Sequence, residues 1–167
     1  MGVTMTKRTF LGGAAAVAGV ALVGVFAGRS SEASAEVFEV NLTADEWRRR
    51  LSPEQFRVLR KQGTEPSGSS PLNNEHRTGT YACAGCELPV FRSADKFESG
   101  TGWPSFIRAI PENVRTKPDP GLFGTRTEVH CRRCGGHLGH VFDDGPPPTG
   151  ERWCMNGVAM RFVPNQS

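Results

Sequence analysis

The sequence predicts a mainly β domain of antiparallel strands, preceded by two short helices. Three observations carry this expectation. From Tyr81 onward no segment holds a helical period for long, and Gly and Pro punctuate short runs rich in Val, Phe, Ile and Thr. Before that point, two helix-start signals follow one another closely, at Thr43–Glu46 and Ser52–Gln55. Two Cys-x-x-Cys pairs, Cys83/Cys86 and Cys131/Cys134, then offer a four-sulfur zinc staple to a small domain.

Residues 1–35 differ in composition from the rest. Lys7-Arg8 and Phe10-Leu11 lead into a Gly/Ala/Val/Leu-rich run without charge, and Ala33-Ser34-Ala35 closes the segment. A basic start, a mildly apolar middle and an A-x-A ending are the pattern of an export signal, here resembling a variant twin-arginine type. The expectation is cleavage after Ala35, a mature domain over 36–167, and a periplasmic or other extracytoplasmic location. The alternative is an uncleaved anchor, because Phe10–Gly28 is 19 uncharged residues, just enough to span a bilayer. No cysteine closely follows the run, which excludes a lipid anchor there.

Without Lys7, Arg8, Arg29 and Glu32 (three cations and one anion), the formal charge falls from +3 to about +1. A nearly neutral domain argues against a nucleic-acid partner, which calls for a concentrated basic face. Arg48-Arg49-Arg50 and Arg132-Arg133 read as solvated surface.

In chain order, Thr43 with Glu46 forms a capping box, and Ser52 precedes a proline at the first helical position, so two short helices are expected over 44–61. Gly63 is expected to end the second. Residues 64–80 read as a polar loop wrapping the body. Strands are expected at 88–91, 105–110, 122–130 and 158–163, with Pro146-Pro147-Pro148 as a rigid loop between strands.

Each Cys-x-x-Cys pair sets two sulfurs on one tight turn, and glycines beside them (Gly85, Gly135, Gly136) free the backbone to turn. With all four positions filled by protein, one Zn²⁺ per chain would be structural. The competing use of such a pair is a redox-active dithiol.

Cys154 is the fifth cysteine. It is either a small buried hydrophobe or a nucleophile. Arg152 and Asn156 lie two residues to either side, which on a strand puts all three on one face, and a guanidinium there is expected to lower the thiol pKa. His137 and His140 are free for proton transfer once four cysteines hold the metal. Asp143 and Asp144 either orient a group or merely open a turn. The run Ser99-Gly100-Thr101-Gly102-Trp103-Pro104-Ser105-Phe106 fixes an indole, as core or as pocket wall.

YACAGCELPVFRSADKFESGTGWPSF and HCRRCGGHLGHVFDDGPPPTGERWCMNGVAMRF, with PLNNEHRTGTYAC before them, resemble the zinc-containing B-type methionine-R-sulfoxide reductases over roughly residues 38–164. The resemblance implies two antiparallel sheets with the helices packed outside. It implies reduction of methionine-R-sulfoxide in peptides and proteins by a Cys154 thiolate, leaving a sulfenic acid. His137, His140 and Asn156 match the family's active-site positions, and Trp103 the aromatic that holds the sulfoxide's methyl group. Arg152 and Asp144 match its supporting charged pair, and Cys83, Cys86, Cys131 and Cys134 its zinc ligands. The chain departs from the pattern at Thr101, where many relatives carry a resolving cysteine, so a thioredoxin-like or other external thiol is the expected reductant of a monomer. It departs also at Trp153, which is expected to reshape the pocket. The rival readings are a zinc-ribbon-like binding module and a thiol peroxidase.

Overall fold

Thr43 and Ser52 both close full capping boxes, so helix α1 runs Ala44–Arg50 and α2 runs Pro53–Lys61 in the computed structural model, which describes residues 36–121 and 124–166. The export-signal expectation falls on residues 1–35 and lies outside the described residues. The left-handed residue that ends α2 is Gln62 (φ 53°), not Gly63. A Cβ at Gly63 would press on the Arg57 carbonyl oxygen of the helix at 3.0 Å, a tight approach to backbone. Val58 and Leu59 of α2 are buried against the β domain.

Nine strands follow among the described residues: β1 Gly79–Cys83, β2 Pro89–Arg92, β3 Lys96–Phe97, β4 Ser105–Phe106, β5 Val114–Gly121, β6 Gly124–Cys131, β7 His137–Phe142, β8 Arg152–Met155 and β9 Met160–Pro164. They form two antiparallel sheets, one ordered β2-β1-β9 and the other β3-β4-β8-β7-β6-β5. The expected strand at 105–110 stops at Phe106, and the one at 158–163 begins only after a 3₁₀ turn, Gly157–Ala159. Strand β5 lacks an apolar run because it and the start of β6 form a largely exposed arm; its Pro118 and Pro120 sit on a sheet edge, where proline is tolerated.

The core lies where the sheets meet. Phe91 of β2 stacks on Phe106 of β4 with ring centroids 4.4 Å apart, and Tyr81 of β1 meets Phe106 edge-on at 4.9 Å. Trp153 of β8 turns to this side, 6.1 Å from Phe91. Its strand neighbours, Arg152 and Cys154, point the other way.

One irregularity decides what that other face carries. Val129 pairs with Gly139, but His130 pairs with His137, so Leu138 is the extra residue of a β-bulge in β7. The bulge puts His137 and His140 on the same face, although strict alternation would separate residues three apart.

Candidate active site

Side chains directly opposite one another on antiparallel strands share a face. The register therefore lays one row across the large sheet: Ser105 opposite Cys154, Cys154 opposite His140, His140 opposite Glu128, and Glu128 opposite Lys117. Gly139 makes the β7–β8 approach close enough, since a Cβ there would lie 2.2 Å from the Cys154 carbonyl oxygen.

A cavity of about 150 Å³ opens on this row, with Trp103, Arg126, His140, Phe142, Cys154 and Asn156 among its walls. It has room for a single side chain, well below the volume a drug-sized ligand needs. Trp103 is a pocket wall, held by donating its indole N–H to the Glu65 carbonyl at 3.1 Å. Trp153 is not among those walls, which corrects the expectation that it reshapes the pocket.

Cys154 is partly exposed. Burial pushes its thiol up, and Arg152, Thr101 and Ser105 offset that only in part. The expected thiolate-favouring effect of Arg152 is present but loses to desolvation. Thr101 Oγ1 stands 4.0 Å from the Cys154 sulfur, and a hydroxyl chain of Thr101, Ser99 and Ser105 (2.8 and 2.7 Å) lines that side.

Both histidines are buried and each donates to a carboxylate that sequence reasoning missed. His140 Nε2–H donates to Asp119 Oδ2 at 2.7 Å, and His137 Nδ1–H to Glu128 Oε1 at 2.8 Å. Burial, followed among the lowering influences by the Arg126 and His137 charges, keeps the His140 pKa below the usual imidazole range despite Asp119. The imidazole is therefore neutral at pH 7, with Nδ1 free as a base. His137 stands behind it, ring centroids 5.3 Å apart, and its Nε2 is buried with no hydrogen-bond partner. Spacing alone did not reveal Asp119 and Glu128, because each comes from a different strand.

Asn156 is buried just past the end of β8, where its Oδ1 accepts from the Glu65 N–H (2.9 Å) and its Nδ2 donates to the Leu138 carbonyl (3.1 Å). Glu65, another missed residue, is itself buried, and its carboxylate accepts from the Gly157 and Val158 N–H groups. That one loop residue thus ties Trp103, Asn156 and the turn after Cys154 together. Arg152 and Asp144 form a bidentate pair (2.8 and 2.9 Å), with the guanidinium 4.5 Å above the Phe142 ring; neither is a cavity wall.

The other four cysteines gather elsewhere. Cys83 and Cys86 close the β1–β2 turn of the small sheet, Cys131 and Cys134 the β6–β7 turn of the large one. Their sulfurs all lie within 4.8 Å of one another, with Cys83–Cys134 at 3.7 Å and Cys86–Cys131 at 3.4 Å, so the set is placed to hold a metal ion. The left-handed residue after each second cysteine is Glu87 (φ 66°) in one turn and Gly135 (φ 65°) in the other, so Gly85 is not the pivot of its turn.

Residues 51–164 match the family described as SelR domain. A protein of Leifsonia xyli named peptide methionine sulfoxide reductase MsrB is 50% identical over 129 residues, covering 76% of this chain and 93% of that one. Proteins of the same name are 51% identical in Methanosarcina barkeri, over 74% of this chain and 87% of that one, and 50% identical in Thiobacillus denitrificans, over 73% and 93%.

Proposed function

The chain belongs to the SelR-domain family of B-type peptide methionine sulfoxide reductases, and from that premise we propose that Cys154 is the nucleophile with which it reduces methionine-R-sulfoxide. The activity is thiol-dependent reduction of the R epimer to methionine in oxidised proteins and peptides. The observation that carries the residue assignment is the cavity shared by Trp103, His140 and Cys154, the one cysteine outside the four-sulfur cluster.

The chemistry follows from the row. His140 Nδ1 takes the Cys154 thiol proton, which its neutral state permits, and the thiolate attacks the sulfoxide sulfur. The proton passes from His140 to the sulfoxide oxygen as charge gathers there. That oxygen leaves the methionine sulfur and ends bonded to Cys154, giving methionine and a sulfenic acid. Two external thiols then return the cysteine, releasing water and their own disulfide. Asp119 fixes the His140 tautomer, while Glu128 orients His137 behind it. The Trp103 indole takes the sulfoxide's methyl group, so one handedness presents its oxygen to His140. Asn156 acts by holding the Glu65 loop against β7, and the Arg152–Asp144 pair by supplying charge beside the thiol.

Zinc suits the four-sulfur site. Zn–S bonds of about 2.3 Å in a tetrahedron imply sulfur–sulfur edges of roughly 3.8 Å, against the 3.4 and 3.7 Å separations here. The ion would be held by Cys83, Cys86, Cys131 and Cys134 and would supply structural closure. The reading extends to residues 1–35 as a twin-arginine-like leader cut after Ala35, and to a monomer in an extracytoplasmic space reduced by a thioredoxin-like protein. Among the described residues no helix is long and apolar enough to cross a membrane. N-terminal sequencing of the protein recovered from cell fractions tests the leader.

The deciding assay supplies the two sulfoxide epimers separately with dithiothreitol. The R epimer is consumed and the S epimer is not; Cys154→Ser abolishes turnover while bound zinc and the circular dichroism spectrum stay unchanged. Turnover by Cys154→Ser overturns the assignment.

A further inference from the structure

Asp119 Oδ2 carries two hydrogen bonds at once. His140 Nε2–H reaches it at 2.7 Å, and Arg126 Nη2–H reaches the same oxygen at 2.7 Å. The mechanism above uses the first bond and leaves Arg126 without a task. Yet Arg126 lines the cavity that holds Cys154, and its side chain is 50% exposed. Of its five N–H donors, one is used on protein among the described residues. A guanidinium with spare donors at the wall of a substrate cavity is suited to a carboxylate, which it grips in a planar two-pronged fashion.

We propose that Arg126 is a specificity-determining residue that receives a carboxylate of the substrate next to the oxidised methionine side chain. This rests on the activity assigned above. Two sources share the chemistry: an acidic side chain beside the sulfoxide in a peptide, and the α-carboxylate of the free amino acid.

The shared oxygen ties recognition to proton transfer. The charged and titratable groups facing His140 are Asp119 from β5, Arg126 and Glu128 from β6, His137 from its own strand, and Cys154 with Arg152 from β8. Among them Arg126 competes with His140 for Asp119 and opposes an imidazolium by its charge. A substrate carboxylate that draws Arg126 away leaves Oδ2 to His140 and adds negative charge nearby. Both changes favour the protonated ring just when the sulfoxide oxygen needs its proton.

The test compares kcat/KM for three R-sulfoxide peptides with Asp, Ala or Lys beside the sulfoxide, and for free methionine-R-sulfoxide against its amide. On the scale of a half-exposed ion pair, wild type should favour a carboxylate-bearing substrate over its neutral counterpart by about three- to fivefold. In Arg126→Gln that ratio falls to about one, and in Arg126→Lys it stays above one. Preference confined to the free amino acid identifies the α-carboxylate as the ligand; preference confined to the peptides identifies the side chain. In wild type a carboxylate-bearing substrate moves the limb of the kcat–pH profile owed to His140 to higher pH than its neutral counterpart does, and in Arg126→Gln that difference vanishes, which a merely structural role would not produce. The same ratios, read as affinities by fluorescence anisotropy on Cys154→Ser protein with labelled sulfoxide peptides, need no turnover. A chain that binds with the expected preference but fails to reduce the R epimer refutes the activity and not the role of Arg126. Ratios of one throughout in wild type, or ratios unchanged in Arg126→Gln, overturn the proposal.

Discussion

Thr101→Cys should turn a centre that waits for an external thiol into one that closes a bridge on itself. The Thr101 hydroxyl oxygen is 4.0 Å from the Cys154 sulfur. A sulfur in its place must approach by about 2 Å to reach bonding distance. Thr101 sits between Gly100 (φ 72°) and Gly102 (φ 86°), a turn whose backbone allows such an adjustment. The two positions are 53 residues apart, and cross-linking a loop of that size removes roughly 4 kcal/mol of freedom from the unfolded chain. For a domain of this size that corresponds to roughly 10 °C or more in Tm. The assay is one turnover of methionine-R-sulfoxide without reductant, followed by intact-mass spectrometry and thermal melting. Wild type gains one oxygen, whereas the variant loses two hydrogens as its sulfenic acid condenses with the new thiol and releases water. Oxidised variant should then melt above its reduced form. A variant that keeps the added oxygen, or melts alike in both states, refutes the placement of residue 101 against Cys154.

Gly139→Ala should cost about 2–3 kcal/mol in urea unfolding and most of the turnover, because the new methyl group meets β8 backbone that cannot move independently; wild-type behaviour would contradict the close approach. Cys154 should be alkylated by iodoacetamide with a midpoint above the ordinary thiol value of about 8.5, since burial outweighs its neighbours, and Arg152→Gln should raise it further. A wild-type midpoint below about 8 would show that desolvation is not in control. Burial works to raise the Glu128 pKa, but His137 and Lys117 hold it below the usual carboxylate range. A depressed folded pKa gives stability that is present above the unfolded value of about 4.3 and lost as pH falls through the folded one. Glu128→Gln should therefore show a flatter acid limb in urea midpoints between pH 3 and 7, and identical limbs would remove the carboxylate from the account.

What the sequence disclosed was what local rules govern. Thr43 and Ser52 announced both helices because a capping box is complete within four residues. The cysteine pairs announced their own convergence because the chemistry of sulfur and metal demands it. Cys154 with His137 and His140 stood out through residue type and by resemblance. Strand β5 stayed hidden because an exposed edge arm needs no apolar alternation. With it went Asp119, whose contact with His140 depends on a pairing 21 residues apart. Glu65 lies in a polar loop that carries no periodic signal, and its burial follows from the amides of Gly157 and Val158 far along the chain. The direction of the Cys154 thiol shift was misread because neighbouring charge is visible in a sequence and desolvation is not.

The additional residue at Leu138 has a consequence for parity. In a regular strand, odd spacing separates and even spacing unites, so two imidazoles at an odd interval could never serve one substrate. A single inserted amino acid resets the count. Keeping Leu138 but pairing it in register would leave every catalytic residue in the chain and yet send one imidazole toward the hydrophobic interior. Deleting it would instead leave His-Gly-His, an even interval that needs no bulge. An H-x-x-H signature within extended chain is thus itself a sign that the pleat must break between the two histidines.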